Sequence, residues 1–223
     1  ERLHITKKAD LVSAQKGTPP FGGFEVIPQK GLRRIYMSPG PVFEPGEWGY
    51  RDIRWAQALY ACSLRKGDVV LNTFNYHVTP LALMLDESLQ MLGATVVPVG
   101  PGNISMQIQL MRQLRATGFL GTPSFLMAIT EAAEGMHLDL RKDLFLKAAF
   151  VGAEMFPESL RQKLEGKLGI LVRQAYGTVD LGCLGYECPE KSGMHIPEDV
   201  MVEIVDTETG KQLETGATGE IVA

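Results

Sequence analysis

The sequence predicts an α/β fold: mostly parallel sheet flanked by helices, with a β-rich C-terminal end. Three observations carry this expectation. Short β-branched runs alternate with segments of helical periodicity between residues 51 and 180. The loops joining them are short and rich in Gly and Pro. Past Val200 the alternation stops, and two short apolar runs flank a turn. Strands alternating with helices read as βαβ units, which require parallel pairing.

Taken in order, Lys7 to Leu11 opens a short helix with Thr6 as its N-cap. The Pro and Gly run from Gly17 to Gly23 forces a loop. Arg33 to Met37 reads as a strand leading into Ser38-Pro39-Gly40-Pro41. Trp48 to Leu64 has near-helical apolar spacing (Ile53, Ala56, Leu59, Tyr60), and Val69 to Phe74 is rich in β-formers. A helix over Thr79–Leu92, a strand over Ala94–Val99 and a helix over Ser105–Arg115 follow. Next come a strand over Gly118–Leu120 and a helix to Gly135 that starts at Pro123, a residue suited to a first helical turn. Strands at Lys147–Val151 and Ile170–Gln174 bracket a helix over Glu158–Leu168, whose Arg161-Gln162-Lys163 reads as a solvated face. Val200–Val205, a turn at Asp206–Gly210 and Gly219–Val222 read as an antiparallel addition.

This divides the chain into an irregular segment, 1–50, ending in a strand and Pro-rich loop, an α/β core, 51–180, and a β-rich extension, 181–223. With 223 residues, 45% hydrophobic, there is material for a sizeable core. Lys and Arg total 22 against 26 Asp and Glu, a net charge of −4 with no block of like charges. That balance supplies no electrostatic reason to expect nucleic acid or an anionic membrane as partner. Mean hydropathy is +0.00, and no apolar run approaches the ~20 residues of a membrane span. Three Cys (Cys62, Cys183, Cys188) are too few and odd in number for a disulfide scaffold, and no signal peptide opens the chain. A cytoplasmic location is the expectation. The chain starts Glu1-Arg2-Leu3 and stops inside a strand-like run, so it reads as a piece of a longer protein.

In an open α/β sheet, ligands bind at the carboxyl ends of the strands. The residues there are Ser38-Pro39-Gly40-Pro41, Asn75-Tyr76-His77, Gly100-Pro101-Gly102-Asn103, Gly121-Thr122-Pro123-Ser124, Gly152-Ala153-Glu154 and Ala175 to Asp180. Each alone is what a strand-to-helix turn uses for conformational reasons. The ordered set is more specific. Gly152-Ala153-Glu154, then Tyr176-Gly177-Thr178-Val179-Asp180, resembles the core of the adenylate-forming (AMP-binding) enzymes, and in particular their phenylacetate-CoA ligase branch. Leu92 to Val99, Thr122-Pro123-Ser124, Val202 to Asp206, Thr209-Gly210 and Gly216 to Glu220 match in the same order over nearly the whole chain.

The resemblance implies the fold of the large N-terminal domain of those enzymes and a two-step reaction: a carboxylate attacks the α-phosphate of ATP, and the thiol of CoA then displaces AMP. ATP/AMP, Mg²⁺ and CoA are the implied cofactors, and a carboxylic, aryl acid the implied substrate. By the same resemblance, Gly152, Ala153, Glu154 and Ala175 line the adenine pocket and Tyr176 packs on the base. Gly177 and Thr178 approach the α-phosphate, and Ser38 and Gly40 fall in the phosphate loop. Phe74, Tyr76, His77 and Thr79 face the acid, with Thr122 and Ser124 lining that cleft or capping the helix at Pro123. Asp180 stands where the family has the Glu that helps hold Mg²⁺. The ribose-binding Asp and the small C-terminal domain with its catalytic Lys are expected outside the chain.

Two features depart from the pattern. The phosphate loop carries Pro39, Pro41 and Pro45, which lack N–H donors, together with Glu44 and no following Lys. Asp180 is one methylene shorter than Glu. Separately, Cys183, Cys188 and His195 offer three ligand types for a structural Zn²⁺, with Glu187 as a fourth, although the spacing is not that of a finger. The leading reading is an AMP-forming acid–CoA ligase acting on small molecules, with homodimerisation left open. Adenylation with an acceptor other than CoA, and a nucleotide- or acyl-binding protein without catalysis, stay open beside it.

Overall fold

The computed structural model describes residues 5–47 and 52–223. The chain forms two compact units, Gly49–His195 and Glu1–Trp48 with Ile196–Ala223.

The larger unit is an α/β sheet. In chain order it contains α1 (Ile53–Ala61), β1 (Val69–Asn72), α2 (Leu81–Leu92), β2 (Thr95–Pro98), α3 (Ile104–Gln113), β3 (Gly118–Gly121), α4 (Pro123–Gly135), β4 (Ala148–Val151), α5 (Glu158–Leu168), β5 (Leu171–Thr178) and β6 (Gly182–Tyr186). The strand order is β2-β1-β3-β4-β5-β6. The first five are parallel, and β6 pairs antiparallel with β5. The central strands β3 and β4 are buried at every residue, as strands covered on both faces must be.

Side-chain alternation along the strands sends neighbours to opposite faces. Val70, Leu120 and Phe150 join Trp55, Leu59, Leu85 and Leu89 of α1 and α2. Leu71, Phe119 and Ala149 join Met111, Leu126, Ile129 and Leu164 of α3, α4 and α5. The chain runs from β1 to β2 at one edge, then returns past β1 to β3. The connection therefore reverses between β1 and β3, which is where such sheets open a crevice.

Several helix limits follow the sequence closely. Thr122 caps α4, accepting a hydrogen bond from Phe125 N at 3.3 Å, and Pro123 occupies the first turn. Gly93 and Gly169 terminate α2 and α5 in left-handed conformations at φ 77° and 69°. The helix anticipated from Trp48 starts at Ile53, capped by Asp52 accepting from Arg54 N; residues 48–51 lie outside the described ones. Arg161 is buried rather than solvated, because its guanidinium reaches across α5 to Glu187 at 2.7 Å and to Val172 O at 2.6 Å. Gln162 and Lys163 are exposed.

The smaller unit holds a helix, Lys8–Gly17, and two antiparallel pairs: Arg34–Ser38 with Val42–Gly46, and Glu203–Val205 with Glu220–Val222. The helix starts one residue later than expected. Lys7, not Thr6, is the N-cap, because Asp10 accepts from the Lys7 backbone N at 3.1 Å. Gln15 then binds the hairpin, giving its side-chain N–H to Phe43 O and accepting from Phe43 N at 2.9 and 2.8 Å. The second strand of that hairpin was not anticipated. Ser38-Pro39-Gly40-Pro41 is consequently a hairpin turn and not a strand-to-helix loop of the parallel sheet.

Candidate active site

A cleft of about 320 Å³ opens at the carboxyl end of the sheet, lined by Thr73, Pro101, Thr122, Ser124, Phe125 and Ala128. These residues follow β1, β2 and β3, so the cleft sits at the point of reversal between β1 and β3. Thr73 binds the two strands together, its N and Oγ1 both donating to Leu120 O at 2.8 and 2.7 Å. Gly121 has no room for a Cβ, which would strike the Thr73 hydroxyl and the Phe119 ring. The β1–α2 loop is held by Asn72, fully buried. Its Nδ2 donates to Ala82 O at 2.9 Å, and its Oδ1 accepts from Phe74 N at 3.2 Å. Phe74 is buried, whereas His77 and its neighbour Val78 are exposed. Thr79 folds back onto Asn75 O at 2.8 Å. Tyr76 is more than an apolar wall. Its hydroxyl donates to Asp86 at 3.0 Å, and burial, reinforced by that carboxylate, raises the phenol above the usual tyrosine range.

The loops after β3 and β4 are linked directly. Glu154 accepts from Ser124 Oγ at 2.8 Å and from Ser124 N at 3.3 Å. Gly152 N donates to Gly121 O at 3.2 Å. Between them Ala153 takes a left-handed conformation, φ 64°, which costs a non-glycine residue about 1 kcal/mol. Gly152 in turn faces Ala175: a Cβ there would lie 3.8 Å from Ala175 O. Thr122 and Ser124 thus follow β3, Gly152 to Glu154 follow β4, and Ala175 lies in the adjacent β5 just past its parallel pairing with β4.

The segment Tyr176 to Asp180 takes another form than the post-strand loop expected. Strand β5 continues to Thr178, with a bulge between Tyr176 and Gly177, and turns at Val179–Leu181 into β6. Thr178 Oγ1 accepts from Leu181 N at 3.0 Å and closes this turn. Tyr176 is 48% exposed, and Asp180 is exposed in the turn. Gly177 is required by close approach, since a Cβ would meet Gly182 O and lie 3.0 Å from the Trp55 ring. Strand β6 was missed because Gly182-Cys183-Leu184-Gly185 lacks β-branched residues; tertiary pairing with β5 supplies what propensity does not.

The zinc expectation is corrected. Cys183 is fully buried among Trp55, Leu59 and Phe150, and its Sγ faces Gly185 O. Burial raises its thiol from 9.0 to about 12. His195 is exposed and stacks on Tyr186 at 5.6 Å, and Glu187 is taken by Arg161 and Gln174. Among the described residues no group of three His, Cys, Asp or Glu is placed to hold a metal ion. Ser38 and Gly40 lie in the smaller unit. Ser38 is 2% exposed and its hydroxyl donates to Glu44 at 2.7 Å, so the proton that would serve a phosphate is already used. Gly40 needs its glycine for φ 133°.

Sequence reasoning did not single out Asn72, Thr73 or Gln107. Gln107, on α3, is fully buried and donates from Nε2 to Gly100 O at 2.9 Å and Gly102 O at 2.8 Å. A polar residue closing the apolar run Val69-Val70-Leu71 was the available signal for Asn72. Gln107 had none, since a Gln in a helix reads as surface.

No helix among the described residues is long and apolar enough to cross a membrane. The AMP-binding enzyme family matches residues 51–223. Phenylacetate-coenzyme A ligase of Pseudomonas putida is 34% identical over 99% of the chain and 52% of its own length. The enzyme of the same name from Thermus thermophilus is 32% identical over 99% of the chain and 51% of its length. The chain therefore spans about half the length of the curated relatives it matches. A crystal structure of 2-hydroxyisobutyryl-CoA ligase, in complex with 2-HIB-AMP in the postadenylation state, superposes with a TM-score of 0.90 at 22% identity, covering 99% of this chain and 49% of that one. On the family match over residues 51–223 and the 34% identical relative, the chain belongs to the AMP-binding enzyme family.

Proposed function

We propose that this chain is the nucleotide- and acid-binding part of an AMP-forming ligase that joins a carboxylic, aryl acid to CoA. The observation that carries this reading is the junction of three strand ends. Ser124, hydrogen-bonded to Thr122, meets Glu154, and Gly152 meets Ala175, next to a cleft walled by Thr73 and Pro101. The strand carrying Ala175 leads on to Tyr176 and Thr178. The relatives named as phenylacetate-coenzyme A ligases support the acid and the acceptor.

In this reading the adenine lies against Gly152 to Glu154 and under the exposed Tyr176 ring, and the acid enters the cleft beside Thr122, Phe74 and Tyr76. A carboxylate oxygen attacks the α-phosphorus, the bond to the bridging oxygen breaks, and pyrophosphate leaves. The sulfur of CoA then attacks the acyl carbon, and AMP departs with the electron pair of the broken C–O bond. Holding acid and nucleotide at fixed positions converts an encounter of two anions into an intramolecular step. Asp180, a single carboxylate in a tight turn, fits a Mg²⁺ that takes most of its oxygen ligands from phosphates and water. Such an ion, when bound, supplies neutralisation of phosphate charge. His77, exposed at the loop tip, is a hydrogen-bond donor for the acid.

The test is acid-dependent release of pyrophosphate from ATP by the full-length protein, over a panel of aryl and fatty acids. Release driven by aryl acids, lowered at least ~100-fold by Asp180→Ala, is the expected result. A folded protein that releases none with any acid overturns the reading. The Ser38–Glu44 pair would then favour a nucleotide-binding protein without turnover.

A further inference from the structure

The β2–α3 loop, Gly100 to Asn103, forms one wall of the cleft through Pro101. Its ends are pinned by Gly100 N donating to Asn72 O at 3.1 Å and by the Asn103 side chain accepting from Met106 N at 3.2 Å. The stretch between them has no backbone partner of that kind among the described residues. Gly100, Gly102 and Asn103 all have positive φ (66°, 87° and 44°), and neither glycine has an atom within 4 Å of a virtual Cβ. Glycine is present for backbone freedom, so the loop has alternatives open to it. Its conformation is set from beneath. The Gln107 Nε2 amide donates to Gly100 O at 2.9 Å and to Gly102 O at 2.8 Å, straddling Pro101. Two carbonyls facing one side-chain end require the NH₂ there, which settles the orientation of the amide. Gln107 Oε1, buried and without a partner, faces the other way. A fully buried side chain that spends both donors on a loop and leaves its acceptor unmet is retained for what the donors do.

We propose that Gln107 is a positioning residue that holds Pro101 against the cleft and thereby sets the length of acid the enzyme accepts. This rests on the ligase reading above. Without the amide, two inward-facing carbonyls lose their partner, and the loop flips a peptide to reach water. Pro101 moves with it, the acid wall retreats, and the nucleotide end of the site, built on β4 and β5, keeps its shape.

The experiment is steady-state kinetics of Gln107→Met and Pro101→Ala in the full-length protein, with benzoate, phenylacetate and 3-phenylpropionate. Gln107→Met keeps side-chain volume and removes both donors. The expected result is a KM for the best acid raised about tenfold, with KM for ATP and kcat within twofold and preference shifted toward the longer acid. Pro101→Ala, which leaves the core intact, should shift preference in the same direction. Should Gln107→Met fail to fold, Pro101→Ala still decides whether this wall reads acid length. Unchanged acid KM and preference in either folded variant, or an equal fall in all parameters, overturns the proposal while leaving the ligase reading intact. A wild-type protein that releases no pyrophosphate retires both.

Discussion

The two units of the chain use the same residue types for different ends. In the sheet unit, Thr73, Thr122 and Ser124 lie along a cleft, and their hydroxyls link one strand end to the next. In the smaller unit, Ser38 follows a strand in the same manner, but its hydroxyl closes a hairpin onto Glu44. The difference lies in what comes next. A parallel strand must be followed by a crossover, which leaves its carboxyl end open to a ligand, whereas an antiparallel strand turns at once and uses its end groups internally. The hydroxyls after β1 and β3 therefore face a cleft, whereas the Ser38 hydroxyl is used inside its own hairpin.

That contrast can be broken in several ways. The largest effect belongs to the two-sided core. Phe119→Ala, at a fully buried position, should cost ~3–5 kcal/mol, against under ~0.5 kcal/mol for Phe43→Ala on the half-open hairpin, read by urea denaturation. Equal losses would mean that the hairpin carries as much packing as the sheet. Next is the buried network of α5, β5 and β6. Glu187→Ala leaves the buried Arg161 guanidinium hydrogen-bonded to Glu158 and Val172 O and takes the carboxylate from the Gln174 backbone N, and a loss of about 3 kcal/mol is expected. Lys167→Ala, which removes a more exposed ion pair with Glu134, should lose less than about 1 kcal/mol.

The thiols sharpen the comparison within the sheet unit. Cys62 and Cys183 are raised to about 12 by burial, while Cys188 is only partly buried. Their folded values lie above the unfolded value of 9.0. The stabilisation is therefore complete below pH 9 and is lost as the pH rises from there toward 12. At pH 8 a disulfide reagent should titrate one thiol in the native protein and three after denaturation. The smallest effect concerns the hairpin. Ser38→Ala should lower stability by about 1 kcal/mol and leave KM for ATP within about twofold. A large rise in KM would show that Ser38 contacts the nucleotide.

Much of this was legible from the chain because local chemistry agreed with the global fold. Pro123 after Thr122 starts a helix in any setting, and Gly93 and Gly169 stop one. The segments Val69–Leu71 and Ala148–Val151 are apolar enough to be recognised as covered strands. What was not legible depends on partners distant in sequence. Gly182 to Tyr186 has weak strand propensity and becomes a strand because β5 offers an open edge. Arg161 reads as surface until Glu187, 26 residues on, meets it. Cys183, Cys188 and His195 suggest a metal by type, but Cys183 on β6 packs into the core with Trp55, while His195, nine residues beyond that strand, is exposed.

The same division holds for the site. The order of loop segments along the chain, from Thr122 to Asp180, is a property of the sequence alone, and it was enough to indicate a family. Which of those residues share a cleft was decided by the crossover that places β1 beside β3. That packing puts Thr73 against Leu120, and the pairing of β3 with β4 puts Ser124 against Glu154, whereas the Gln107 amide reaches the loop around Pro101 from only a few residues along the chain. Periodicity and turn chemistry act over a few residues and are written into the sequence. The pairing of strands 48 residues apart is settled by burying both faces of the sheet at once, which no local segment can do.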